Sequence, residues 1–206
     1  MDWEDADLWD DSSIRLERSA RGWHLLLTTL YPPGVVLWIG HPHESGPGHE
    51  SHFQTRDQWL DSHPGTPPCP FICPDTFLPG ACHRHTAGVA ASPYLVVEAD
   101  EALGRKPATG GERAENLRRN LCILRWLHET LAWPLRAIIH TGGKSCHGWF
   151  ERPRDTALQD LKALAPALGI DASVFIPAHP VRLPSVVHEK TGVKSRLLYL
   201  SPGVFR

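Results

Sequence analysis

Apolar residues along this chain fall into two spacings, and the alternation between them predicts the elements. Between Ser13 and Thr29, Ile14, Leu16, Leu25, Leu26 and Leu27 lie among arginines in a helix-like pattern, with Ser12 or Ser13 as the cap. Pro32-Pro33-Gly34 ends that helix, and the unbroken run Val35-Val36-Leu37-Trp38-Ile39 predicts a buried strand. His41 to His52 is rich in Gly, Pro and His and predicts a loop. Thr55 caps a short helix reaching Leu60. Residues 61–93 carry Pro, Cys and His without a period and predict an irregular segment.

The pattern is stronger in the second half. Pro93 to Asp100 is an apolar approach with an acidic end, a strand. After a Gly-bearing linker from Gly104 to Gly111, a helix is predicted from about Glu112 to Leu131. Its stripe is Leu117, Leu121, Leu124, Leu127 or His128, and Leu131. Leu135 to His140 is the next strand, and Lys144 to Phe150 pairs back on it across Gly142-Gly143. Thr156 to Leu168 is a second helix. Leu158, Leu161, Leu164, Ala165 and Leu168 face inward, Asp155 is the cap and Gly169 the stop. Val181-Arg182-Leu183-Pro184, a polar turn through Gly192 and a last strand, Arg196 to Leu200, complete the chain. Strand, helix, strand, hairpin strand, helix, strand is the order of an α+β sheet with helices on one face. Residues 1–68 then form a mixed α/β N-terminal layer and residues 69–206 the core, together one two-lobed unit.

Length and composition agree with a folded protein: 206 residues, 41% apolar and 21% charged. No apolar run approaches the ~20 residues of a membrane span. The acidic start, Met1-Asp2-Trp3-Glu4-Asp5, is not a secretory signal, and five irregularly spaced cysteines suit a reducing cytoplasm better than a disulfide framework. Charge is unevenly spread. Residues 1–100 carry 5 Lys and Arg against 14 Asp and Glu, a net of −9, while residues 101–206 carry 16 against 9, a net of +7. A basic half beside clustered acids suits a polyanionic partner.

The candidate chemistry lies in that half. Glu98 and Asp100 are two apart on a strand, so both carboxylates leave one face. Two such acids repel unless a cation sits between them, and Mg²⁺ or Mn²⁺ takes such oxygens while keeping positions for phosphates. Asp171 follows the glycine stop and supplies a third acid, and three carboxylates can hold two metal ions. Solvated acids at strand ends give the same pattern. Ser145 and His147 point the same way on the hairpin strand, beside Lys144 and a glycine turn whose N–H groups are expected to be free for a triphosphate. Cys146 faces the opposite layer.

The succession hydrophobic-Glu98-x-Asp100, Gly142-Gly143-Lys144-Ser145-x-His147, hydrophobic-Asp171 resembles the three signature motifs of the archaeo-eukaryotic primase superfamily. His140 to Phe150 and Arg182-Leu183-Pro184 resemble its primase-polymerase branch from bacterial plasmids, prophages and other mobile elements. The resemblance covers about Pro70 to Leu200. It implies an RRM-like catalytic core and DNA-templated nucleotidyl transfer on single-stranded DNA. Glu98, Asp100 and Asp171 would be catalytic and hold two Mg²⁺ or Mn²⁺ ions. Lys144, Ser145, His147 and Arg182 would bind the triphosphate of an NTP or dNTP. Template and primer strands, and a replicative helicase, would be partners. Two departures stand out: Glu98 occupies a position where Asp is commoner, and Ser185 follows Arg-Leu-Pro where glycine is more usual.

Two further clusters carry other chemistries. Cys69, Cys73, Cys82 and His85 offer four zinc ligands, but the spacing is not that of a standard finger and Pro70, Pro74 and Pro79 interrupt it. His41-Pro42-His43 is similar to the His-x-His of rolling-circle nicking enzymes, although Pro42 and the Gly/Pro-rich residues after it predict a loop. A nicking nuclease, and a non-catalytic module that binds nucleotide or single strands, are therefore the alternative functions.

Overall fold

The computed structural model describes Leu8, residues 10–14 and residues 21–202. Helix α1 is Gly22–Leu30. Residues 15–20 of the expected first helix lie outside the described residues. Ser12 and Ser13 cap no described helix. Their hydroxyls donate to the Leu200 carbonyl at 3.0 and 3.2 Å and tie the N-terminal segment to the end of the chain.

Two sheets follow. The first has six strands: β1 (Val36–Gly40), β2 (Phe53–Thr55), β3 (Phe71–Ile72), β4 (Thr76–Phe77), β5 (Val89–Ala91) and β9 (Val181–Arg182), in the order β5-β4-β1-β3-β9 with β2 also on β1. Helix α2 (Arg56–Ser62) leaves β2 through a capping box in which Thr55 and Gln58 satisfy each other's backbone N–H groups. Strands β3, β4 and β5 come from the stretch that the sequence leaves irregular. They are two or three residues long, too short to show an alternation, and only pairing defines them.

The second sheet is β6 (Tyr94–Val97), β7 (Leu135–His140), β8 (Cys146–Glu151) and β10 (Arg196–Leu200), antiparallel throughout in the order β10-β7-β8-β6. With α3 (Gly110–Glu129) between β6 and β7 and α4 (Asp155–Leu168) between β8 and β10, the expected β-α-β-β-α-β succession is present and the fold is α+β. Thr109 and Glu112 form the capping box of α3. Helix α4 starts from Arg154 without a side-chain cap, so Asp155 sits in the first turn instead. It ends at Gly169, φ 66°, a left-handed C-cap.

Period-two alternation sorts each strand between two cores. Leu95, Val97, Ile138, Cys146, Phe150 and Leu198 face Leu121, Leu124, Leu127, Leu158, Leu161 and Ala165 of α3 and α4. Tyr94, Val96, Ala137, Ile139, Trp149 and Leu197 face α1, β1 and Val181. The second sheet is thus covered by helices on one side and by the first sheet's layer on the other. Cys146 packs as expected. Leu131 and Leu164 do not: they are 41% and 46% exposed, beyond the end of α3 and on the outer side of α4.

Candidate functional site

β6 ends at Val97, so Glu98 and Asp100 lie just past the strand rather than on it. Their backbone is held from two sides. The chain leaving α4 runs alongside, with Glu101 N–H donating to Gly169 O at 3.1 Å and Asp171 N–H to Glu98 O at 3.0 Å. A Cβ on Gly169 would stand 2.1 Å from the Glu101 carbonyl oxygen, so only glycine permits this approach. On the other side, the buried Asn116 of α3 donates to Ala99 O at 3.1 Å and to Lys144 O at 2.9 Å. One turn further, Asn120 accepts from Cys146 N–H at 2.9 Å. These two asparagines join the acidic segment to the hairpin. The sequence carries a signal for them, since 116, 120 and 124 lie on one helical line with the leucine stripe, where a polar side chain needs a partner.

The hairpin brings its residues to those acids. The Ser145 hydroxyl donates to Glu98 and lies 2.9 Å from an Asp100 oxygen. It has one proton and serves one carboxylate at a time. Lys144 Nζ is 2.7 Å from Asp100, and His147 Nε2 is 3.1 Å from Glu98. Ser145 and His147 are buried, and His147 Nδ1 has no partner among the described residues. Burial acts to raise Glu98. The charge and hydrogen bond of His147, with hydrogen bonds from Ser145 and Asp100, outweigh it and hold the carboxyl at about 2. Asp100 moves the other way: burial and the Glu98 charge push it above the usual aspartate range, against Lys144 and Ser145.

The turn N–H groups are not free. Gly142 N–H donates to His140 Nδ1 at 3.0 Å and Gly143 N–H to Thr141 Oγ1 at 3.3 Å. Gly142 has φ 82°, and a Cβ there would lie 2.5 Å from Val193 O, so the turn is pressed under the 188–193 loop. The glycine pair therefore offers no free amide to an anion, and the side chains around it are the candidate anion-binding groups.

Those side chains line a cleft of about 650 Å³ between the two sheets. Glu98, Asp100, Lys144, Ser145 and His147 form one wall, and Phe71 and Arg182 the other. Lys106, Arg113 and Lys190 also reach it, as do His179 and His188, which the sequence did not single out. The Arg182 guanidinium lies 4.7 Å from the centre of the Phe71 ring, and its buried Nη1 has no hydrogen-bond partner among the described residues. Burial lowers its proton affinity. Behind it, Ser185 takes φ 74°, a left-handed conformation that favours glycine, while its N–H donates to Ser195 O at 3.0 Å.

Asp171 lies beside Glu98 through its backbone bond to Glu98 O, but its carboxylate is engaged elsewhere. It is exposed, and its carboxylate accepts from Ser173 N–H at 2.9 Å as the cap of a short 3₁₀ turn, Ala172–Phe175. Two hard-oxygen donors, Glu98 and Asp100, with their mutual repulsion partly met by Lys144, fit one divalent ion by donor chemistry. Asp171 joins no three-residue metal-ligand cluster among the described residues.

The four suggested zinc ligands do not converge either. The Cys73 thiol is buried and donates to Ala178 O at 3.0 Å, and burial raises it well above the usual thiol range. His85 is exposed. Cys69 instead meets His41 and Glu44. His41 and His43 lie in a loop with rings 6.0 Å apart. Tyr31 and Tyr94 are buried and donate to the Pro74 and Leu30 carbonyls. No helix among the described residues is long and apolar enough to cross a membrane.

No family model and no curated protein matches the sequence. Among solved structures, the chain is similar to the cyanophage S-2L primase-polymerase (PrimPol) AEP domain PP-N190. The TM-score is 0.43 and the identity 18%, over 87% of this chain and 89% of that chain.

Proposed function

We propose that this chain is a divalent-metal-dependent primase-polymerase, a nucleotidyltransferase that synthesises or extends primers on single-stranded DNA. The observation that carries the proposal is the pairing of Glu98 and Asp100 with Lys144, Ser145 and His147 on one wall of a cleft whose other wall carries Arg182. A paired-carboxylate centre in a cleft also lined by Lys106, Arg113, Lys144, Arg182 and Lys190 suits a nucleoside triphosphate, which brings several negative charges and needs a metal ion to neutralise them. The first two motifs of the resemblance fall on these same residues, and the third, Asp171, lies beside Glu98 with its carboxylate on Ser173.

Glu98 and Asp100 would hold the ion, Mg²⁺ or Mn²⁺, and Asp171 would complete a two-ion site only by turning from Ser173. The ion would supply charge neutralisation at the reacting phosphorus. The protein's own contribution is positioning and electrostatics. Arg182 offers an unpaired N–H to a phosphate oxygen, and His147 keeps one ring nitrogen without a protein partner. Lys106, Arg113 and Lys190 draw a polyanion toward the cleft. The 3′-hydroxyl of a primer or first nucleotide attacks the α-phosphorus and pyrophosphate leaves. Ser145 and His147 are positioning groups and not nucleophiles, since the attacking group in this transfer is the 3′-hydroxyl. The basic half of the chain suits the template backbone.

The test is primer synthesis on single-stranded DNA with labelled NTPs or dNTPs and Mg²⁺ or Mn²⁺. Products that vanish in Asp100→Ala and with chelator support the proposal. A binding-only module is the second reading, favoured by the position of the Asp171 carboxylate. It stands if a fluorescent nucleotide binds the wild-type protein while no metal and nucleotide combination gives product.

A further inference from the structure

We propose that His41, Glu44 and Cys69, with His52 as fourth ligand, bind a zinc ion that pins the end of β1 to the segment entering β3. Nothing in the proposed activity uses these residues, and the site stands whether or not the cleft catalyses nucleotidyl transfer.

The pairing register makes the meeting. Ile39 lies opposite Ile72 and Gly40 opposite Phe71, so the next step of this antiparallel pair sets His41 across from residue 70, beside Cys69. A turn then returns Glu44 to the same place. Glu44 N–H donates to His41 O at 2.9 Å, its carboxylate accepts from His41 N–H at 2.8 Å, and its carbonyl accepts from Trp38 Nε1 at 3.1 Å. One ligand atom from each of His41, Glu44 and Cys69 lies within 4.8 Å of the others, and all three residues are half-buried. Tetrahedral zinc bonds of ~2.0–2.3 Å put ligand atoms ~3.3–3.8 Å apart, so these three close on an ion by about 1–1.5 Å at most, and His52, outside that group, swings in from Glu44.

His52 supplies an independent indication. Its Nδ1 is 2.9 Å from the Ile39 carbonyl, which accepts only, so Nδ1 carries a proton and Nε2 is the nitrogen turned toward the cluster. That Nε2 stands 3.4 Å from the Glu44 carboxylate. An imidazole that donates one nitrogen to a backbone carbonyl and presents the other is the arrangement in which histidine ligates metals. A thiol and two imidazoles beside one carboxylate select zinc over Mg²⁺ or Ca²⁺. Binding releases the Cys69 proton to solvent, and one thiolate with one carboxylate neutralises the ion. The consequence is local stiffness next to the cleft, because Phe71, which carries the Arg182 guanidinium, lies two residues beyond Cys69.

The experiment uses the full chain, stripped with a chelator and titrated with Zn²⁺ and with Co²⁺. We expect one equivalent of Co²⁺ to give thiolate-to-cobalt charge-transfer absorption, displaced by Zn²⁺. Ions at Glu98 and Asp100 offer no sulfur and give no such band, which separates the two sites. Cys69→Ser should abolish the band and His41→Ala weaken binding at least 10-fold, while Cys82→Ser and His85→Ala keep it. Should Cys69→Ser fail to fold by circular dichroism, His41→Ala and His52→Ala provide the reading. The proposal is overturned if wild-type protein gives no band, if the band survives Cys69→Ser, or if Cys82→Ser removes it.

Discussion

His147 Nε2 lies 3.1 Å from a Glu98 carboxylate oxygen, on the same strand face that Ser145 uses to reach that acid. The pair fixes the electrostatics of the centre: Glu98 is held ionised, and Asp100, repelled by it, is the carboxyl that takes a proton first as pH falls.

His147→Ala should raise the nucleotide KM more than it weakens metal binding, read by initial rates at varied nucleotide and varied Mg²⁺. It should also change the pH dependence of stability. A folded-state value of about 2 is below the ordinary 4.5, so Glu98 contributes stability that is fully present above about 4.5 and lost as pH falls toward 2. Without His147 the half-buried Glu98 charge loses its partner, at a cost of about 2 kcal/mol near pH 7. That cost fades in acid as the variant's Glu98 takes up a proton. Melting curves of variant and wild type should therefore differ more at pH 7 than at pH 4; a constant difference would refute the assigned pairing.

Asn116→Ala should destabilise the protein by about 2–3 kcal/mol, since two buried carbonyls, Ala99 and Lys144, lose their donor. Denaturant unfolding measures the loss. The same variant should lower kcat, because the acidic segment and the hairpin are no longer held to one helix. Asn116→Asp should not rescue it, since a carboxylate cannot donate to either carbonyl.

Arg182→Lys should raise the nucleotide KM by about 10-fold, roughly 1.4 kcal/mol, with little change in melting temperature. Lysine keeps the charge but loses the planar group that lies over Phe71 and the fixed fork of donors. An unchanged KM, measured at saturating metal, would remove Arg182 from the triphosphate site.

Ser185→Gly should stabilise the fold by about 0.5 kcal/mol. Relief of left-handed strain, ~1–2 kcal/mol, exceeds the ~0.5–1 kcal/mol entropic cost of glycine. Ser185→Val should destabilise it, since a β-branched side chain tolerates φ 74° poorly. Paired thermal melts decide the order, and an order of Val above Ser would contradict the backbone conformation.

Local periodicity was enough to define the second sheet and its two helices. Each long element buries one face, and burial at period two or 3.6 is written directly into the order of Tyr94 to Val97, Leu121 to Leu127 and Ala137 to Trp149. The same alternation placed Ser145 and His147 together and turned Cys146 inward. Glu98 and Asp100 were legible as a pair because they stand two positions apart, with Ala99 between them. The rest depended on contacts between distant segments, which no local pattern encodes. Strands of two or three residues exist only through their partners. The glycine-turn amides are taken by His140 and Thr141, which only the folded turn reveals. Asp171 caps its own turn through Ser173 N–H while its backbone N–H reaches Glu98 O, a pair of contacts that spacing along the chain does not reveal. Sequence order grouped Cys69 with Cys73, Cys82 and His85, whereas the register of β1 against β3 set it beside His41 and Glu44. Ligand sets and hydrogen-bond partners are settled by which backbones lie side by side, and that is decided only when the two sheets pack.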